Sequence, residues 1–192
     1  MADKLYLTAQ SLLEDSYKLA RDVLDSKFEP TFIVAIWRGG APIGIAVQEF
    51  LAVHGIKSDH IAIRTSSYAA AIDQQSKTVR VHNLKYLVDN LQQHDKLLLV
   101  DDVFDTGRSI EAIIAELQKQ TRLNMPTDVR VAVPYYKPSR NLTHREPDYY
   151  LHETEAWLKY PHSLEGLSNQ EIAEQRPHLF NIIKDLLPEE NA

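Results

Sequence analysis

Residues 97–109 read LLLVDDVFDTGRS. The apolar run Leu97–Val100, entered from Lys96, has the length and composition of a buried strand, predicted over Lys96–Asp101. It delivers two adjacent acids, Asp101 and Asp102, to its carboxyl end. Asp105, Thr106, Gly107, Arg108 and Ser109 then open a predicted helix, Arg108–Gln120, with Ile110, Ile113, Ile114 and Leu117 on one face. Backbone N–H groups at such a helix start point outward, and the dipole there favours an anion. Thr106 and Ser109 add hydroxyl donors. A phosphate cradle thus stands beside a carboxylate pair. Carboxylates repel a phosphate, but they accept hydrogen bonds from sugar hydroxyls or hold hydrated Mg²⁺ that bridges to phosphates. The combination describes a ribose phosphate.

Strands and helices alternate on both sides of this stretch. Residues 9–26 pattern as an amphipathic helix, 31–37 (TFIVAIW) as a buried strand, 42–54 as a helix and 60–66 as a second strand. Residues 67–82 are small and polar without a usable period, and read as a mobile functional loop. Residues 84–92 are ambiguous. A fourth strand is predicted at 128–133, short edge strands at 149–152 and 157–160, and helices at 169–175 and 177–187. The expectation is an α/β fold with a central, mainly parallel sheet flanked by helices, in one domain with a small appendage after residue 140.

Composition excludes several function classes. Lys plus Arg number 21 against 27 Asp plus Glu, a formal net charge of −6, so the basic face needed to track a nucleic acid backbone is not expected. With no cysteine, disulfides, thiolate catalysis and cysteine-ligated zinc are excluded. No stretch approaches the ~20 apolar residues of a membrane span, and Met1–Tyr6 carries no apolar signal core, so a cytoplasmic protein is expected. The eight histidines show no metal-binding spacing. Gly39 and Gly40, with Gly44 close behind, and Gly107 fall where predicted strands give way to predicted helices, the place where open α/β sheets bind ligands. On glycine alone, however, these are ordinary turns.

The 97–109 stretch closely resembles the phosphoribosyl diphosphate (PRPP) signature of type I phosphoribosyltransferases: four apolar residues, two acids, two apolar residues, then D-T-G-x-S/T. The match covers thirteen contiguous positions. Other phosphate motifs fit worse. There is no G-x-x-x-x-G-K-S/T. Asp102 and Asp105 are three apart, not two as in a D-x-D-x-T hydrolase, and the acid pair lies halfway along the chain, not after the first strand as in a receiver domain. Trp37-Arg38-Gly39-Gly40 resembles the family's diphosphate loop, which implies that Arg38 and Gly39 hold the diphosphate and that the Trp37–Arg38 peptide is cis. Ser67-Tyr68 falls where 6-oxopurine members begin a catalytic flap.

Downstream, Glu155–Pro161 resembles the T-W-x-x-x-P stretch of bacterial xanthine–guanine and archaeal hypoxanthine enzymes. The resemblance assigns Lys137 to the purine O6, Trp157 to stacking and the Leu158 backbone to the ring edge. Alone, Trp157 reads as a half-buried anchor and Lys137 as a solvated charge. Asp105 takes the family's general acid/base role near N7, and is equally suited to a helix N-cap. The sequence departs from the pattern at His162-Ser163, where relatives carry Trp and an acid. Glu165 is the nearest carboxylate, so a second metal ligand is unassigned.

The resemblance implies a type I phosphoribosyltransferase fold over 1–192, with a base-binding hood at about 135–165 and a helical extension at 166–192. It implies transfer of 5-phosphoribose from PRPP to a 6-oxopurine, with hypoxanthine or guanine ahead of xanthine. Asp101, Asp102 and Asp105–Ser109 would hold the phosphoribosyl group, and Mg²⁺ would sit by Asp101 and Asp102, mainly through water or ribose. PRPP and a purine are the expected partners, with no nucleic acid or membrane, in a homodimer or homotetramer. The rival expectations are a nucleotide-sensing regulator without turnover and a transferase for a non-purine acceptor.

Overall fold

A computed structural model describes residues 3–69 and 77–188. The elements in chain order are β1 (Lys4–Tyr6), α1 (Ala9–Asp25), β2 (Phe32–Trp37), α2 (Gly40–Val53), β3 (Asp59–Ala69), β4 (Lys77–His82), α3 (Lys85–Asn90), β5 (Lys96–Val100), β6 (Val103–Phe104), α4 (Arg108–Thr121), β7 (Asp128–Tyr136), β8 (Tyr149–Glu153), β9 (Trp157–Lys159), α5 (Asn169–Gln175) and α6 (Pro177–Ile183). Residues 10–155 form one unit; 1–9 with 156–192 form another. No helix among the described residues is long and apolar enough to cross a membrane.

The larger unit is built on a sheet in the order β4-β3-β2-β5-β7, with β8 on the outer side of β7. All neighbours are parallel except β3 and β4. The expected central parallel sheet flanked by helices is therefore present. Val34, Leu97, Leu99 and Val131 are fully buried beneath Leu87 of α3 and Ile113 and Leu117 of α4. Strands covered on both faces read as unbroken apolar runs, which is why KLLLV has no alternation.

One register carries the site. β5 pairs with β7 from Lys96↔Asp128 to Val100↔Ala132, and β6 pairs with the same strand at Val103↔Tyr135 and Phe104↔Tyr136. The offset is unchanged across Asp101 and Asp102, so the acid pair interrupts a ladder that resumes in step. The Asp101 N–H still donates to the Ala132 carbonyl at 3.2 Å. The strand expected to end at Asp101 thus ends at Val100 and pairs again at 103–104. Likewise, β7 runs through Pro134 to Tyr136 and does not stop at Val133. In that register Pro134 stands opposite Asp102, where the ladder is already broken and a missing N–H is tolerated.

Three further elements depart from expectation. The stretch read as a loop at 67–82 carries the end of β3 and all of β4, paired from Arg64↔His82 to Ala69↔Lys77. Its centre, 70–76, lies outside the described residues. Small polar residues give no apolar alternation, yet ladder hydrogen bonds make an edge hairpin regardless. The ambiguous stretch 84–92 contains α3, with Leu84, Leu87 and Leu91 buried. The helix expected at 177–187 ends at Ile183, followed by a single 3₁₀ turn, Lys184–Leu186.

In the smaller unit, β1 pairs in parallel with β9, Lys4↔Trp157 to Tyr6↔Lys159. β1 was not foreseen, because its partner lies at the far end of the chain. Ser168 and Glu171 form a capping box at the start of α5. Glu171 also accepts from Lys4 and from the Tyr6 hydroxyl. Those donors, Lys4 first, hold its carboxyl down at about 2.

Candidate active site

β2 and β5 are adjacent and parallel, so the loops leaving them meet at the carboxyl edge of the sheet. The contact is tight. A Cβ on Gly39 would fall 1.8 Å from Asp102 Oδ2, and one on Gly40 would fall 2.4 Å from the Val100 carbonyl. Gly39 has ordinary helical angles, φ −66 and ψ −32, so its glycine serves close approach and not handedness. The Arg-Gly-Gly loop is pressed directly against the acid pair. Trp37 and Arg38 are exposed, and the peptide joining them is cis.

The two acids differ. The Asp102 N–H donates to Asp101 Oδ1 at 2.9 Å. Removal from water, and next the neighbouring Asp102 charge, raise the Asp101 carboxyl well above its ordinary range, against that backbone bond. Two hard-oxygen donors in this state suit a cation or a pair of hydroxyls. Among the described residues no cluster of three or more His, Asp or Glu side chains is placed to hold a metal. The pair therefore fits Mg²⁺ of the kind that takes one or two carboxylates and completes its shell with substrate phosphates and water. His162 supplies no second carboxylate; its ring stacks on Tyr160.

Asp101, Asp102, Phe104, Asp105, Thr106, Gly107 and Ser109 line one pocket of about 200 Å³. Gly107 has φ +74, and a Cβ there would meet Thr143 Oγ1 at 2.6 Å and the Phe104 ring at 2.9 Å, so handedness and space both demand glycine. It precedes α4, whose first amides have no partner within the helix, with Arg108 exposed at the first helical position. A larger hollow of about 440 Å³ between α2, β2 and β3 is lined by Ile33, Ile45 and Ile61. Its lining is mainly apolar and holds no pair of acids, so the phosphate chemistry belongs to the smaller pocket.

The loop after β7 braces this turn. The Leu142 N–H donates to the Thr106 carbonyl at 3.1 Å, and Asn141 Oδ1 accepts from the Thr143 N–H and hydroxyl. Arg140 Nε pairs with Asp105 Oδ1 at 2.8 Å. Sequence reasoning missed Arg140. Three positions after Lys137 it is one more surface cation, and only the fold brings it to Asp105. Lys137 itself is 5% exposed, and its N–H continues the β6–β7 ladder to the Phe104 carbonyl at 2.9 Å. The backbones of Ser67 and Tyr68 lie in β3, opposite Val79 and Thr78. Their side chains fall outside the described residues.

In the smaller unit Trp157 opens β9 and is 55% exposed, whereas Leu158 is buried. Lys159 Nζ lies 4.5 Å from the centroid of the Trp157 ring.

The sequence model of the phosphoribosyl transferase domain family matches residues 4–168. Among solved structures, a purine phosphoribosyltransferase from Pyrococcus horikoshii Ot3 is 23% identical, with a TM-score of 0.69 over 86% of this chain and 97% of that one. A hypothetical protein from Neisseria gonorrhoeae with bound ppGpp is 22% identical, with a TM-score of 0.71 over 95% and 98%. The xanthine-guanine-hypoxanthine phosphoribosyltransferase of Helicobacter pylori is 20% identical, with a TM-score of 0.62 over 92% and 99%. At these identities the likeness is one of fold. Comparison with curated proteins finds no match.

Proposed function

Because the chain belongs to the phosphoribosyl transferase domain family, we propose that it transfers 5-phosphoribose from PRPP to N9 of a 6-oxopurine, releasing diphosphate and a nucleoside 5′-monophosphate. Hypoxanthine and guanine are the first candidate bases and xanthine the third. The observation that carries the reading is the Asp105–Ser109 turn, opening a helix beside an acid pair that packs on Gly39. The solved purine phosphoribosyltransferases of the same fold support the choice of base class.

In this reading the amides and hydroxyls of Thr106–Ser109 bind the 5′-phosphate. Asp101 and Asp102 accept from the ribose hydroxyls. Arg38 and the Gly39 backbone hold the diphosphate. Bound beside Asp101 and Asp102, Mg²⁺ supplies positive charge to the departing diphosphate. Lys137 donates to O6, while Trp157 and the Leu158 backbone receive the base. As the N9–C1′ bond forms and the C1′–O bond to diphosphate breaks, Asp105 takes the proton from N7. Ser67 and Tyr68 belong to a flap that excludes water from C1′. A cytoplasmic homodimer or homotetramer completes the proposal.

The test incubates protein, PRPP and Mg²⁺ with adenine, hypoxanthine, guanine, xanthine, orotate or uracil and follows diphosphate release. Release with hypoxanthine or guanine supports the reading. Release with orotate or uracil alone transfers it to a non-purine acceptor. The Neisseria structure with bound ppGpp favours one second reading, a nucleotide-sensing protein that uses the same phosphate turn without turnover. Tight ppGpp binding with no diphosphate release would select it.

A further inference from the structure

A lysine side chain is among the least buried in proteins, because its ammonium needs water or partners. Lys159 is only 2% exposed. Two of its three N–H donors go to backbone carbonyls, Glu165 at 3.0 Å and Gly166 at 3.1 Å. The ammonium also stands 4.5 Å from the centroid of the Trp157 indole. Trp157 and Lys159 are two apart on β9, so they share one face of the strand, and Leu158 points away. The paired residues of β1, Lys4 and Tyr6, occupy the same face and are both tied to Glu171. The surroundings of Lys159 are thus built. Burial, and next the Lys4 charge, even lower its pKa, with Glu171 and Glu165 opposing.

The loop is fitted to the ammonium as well. Gly166 has φ +70, and a Cβ there would lie 3.1 Å from Lys159 Nζ. The lysine therefore joins the ring to the 165–166 turn. A cation held against a ring face restrains the ring's orientation, and here more than half of Trp157 stays open to solvent.

We propose that Lys159 is a positioning residue: it backs the Trp157 indole and holds it as a preset platform for a stacked purine. The inference rests on the role given above to Trp157 and adds the residue that makes the ring rigid. An exposed Trp with free rotamers would lose that freedom on binding; one held by Lys159 has lost it already.

The experiment compares inosine 5′-monophosphate with ribose 5-phosphate by titration calorimetry on the full chain, so that the difference isolates the base. Trp157→Ala is expected to weaken the nucleotide about tenfold or more and to leave ribose 5-phosphate unchanged. Lys159→Met is expected to weaken the nucleotide about fivefold, again without touching ribose 5-phosphate. Lys159→Arg, whose guanidinium also stacks on an indole, should recover most of the loss. If Lys159→Met does not fold, Gly166→Ala gives the same readout by pushing on the ammonium from the other side. The inference is overturned if Trp157→Ala loses the nucleotide and Lys159→Met does not. It is equally overturned if Lys159→Met weakens both ligands alike, the mark of a merely structural lysine. If Trp157→Ala changes neither ligand, the platform role itself fails.

Discussion

Arg140 Nε stands 2.8 Å from Asp105 Oδ1, and that buried oxygen accepts no aligned hydrogen bond: the pairing is one of charge, off the hydrogen-bond axis. A carboxylate held this way is oriented and still has acceptor capacity for an incoming N–H. Asp105→Asn is expected to cut turnover by roughly 10²–10⁴ while PRPP affinity stays within a few fold. Arg140→Gln should lower turnover by roughly tenfold through misplacement of the carboxylate. Steady-state kinetics with direct PRPP binding checks both. Equal loss of binding and turnover in Asp105→Asn would make Asp105 a mainly structural residue.

Gly39 has no room for a methyl group beside Asp102. Gly39→Ala should therefore push the two loops apart. Overpacking of this kind costs about 1–3 kcal/mol, or roughly 2–12 °C in melting temperature for a chain of this size. PRPP affinity should fall with it, because the same contact aligns the diphosphate loop with the acids. An unchanged melting temperature and PRPP affinity would contradict the packing described.

Asp101 carries a carboxyl raised by burial and by Asp102. The folded state therefore binds its proton more tightly than the unfolded chain does. Stability from this group is greatest below the ordinary carboxylate range and falls as pH rises through that range toward the raised value. Asp101→Asn removes the cost. In metal-free buffer its melting temperature should exceed that of the unmutated protein at pH 8, and the gap should close near pH 4. Differential scanning calorimetry at the two pH values checks the sign.

Glu171 behaves in the opposite way. Its carboxyl is held down at about 2 by Lys4, the Ser168 N–H and Tyr6. Its contribution is present above the unfolded value, near 4.5, and is lost as pH falls toward 2. Glu171→Gln should therefore destabilise the protein at pH 6 and make less difference at pH 2.5. A variant gap that widens in acid would refute the assignment.

The sheet was readable because Phe32–Val34 and Leu97–Val100 are buried on both faces, and that burial leaves an apolar run that no other element explains. Gly107 was readable because a left-handed helix entry admits few residues. β4 and β1 were not, since their reason to be strands is a partner's backbone. The resemblance gives Gly39 a place against the diphosphate but no reason for its missing side chain; the atom that fills that space is the Asp102 carboxylate. Arg140 and Lys159 left no signal, because each acquires meaning from a single contact, with Asp105 and with Trp157. Asp101 was seen as an acid, but which of two neighbours would lose its water depends on packing alone.

The most direct measurement is a crystal structure with inosine 5′-monophosphate. The account expects the 5′-phosphate on the amides of Thr106–Ser109 and the ribose hydroxyls on Asp101 and Asp102. A nucleotide bound elsewhere, with this turn left vacant, would contradict it.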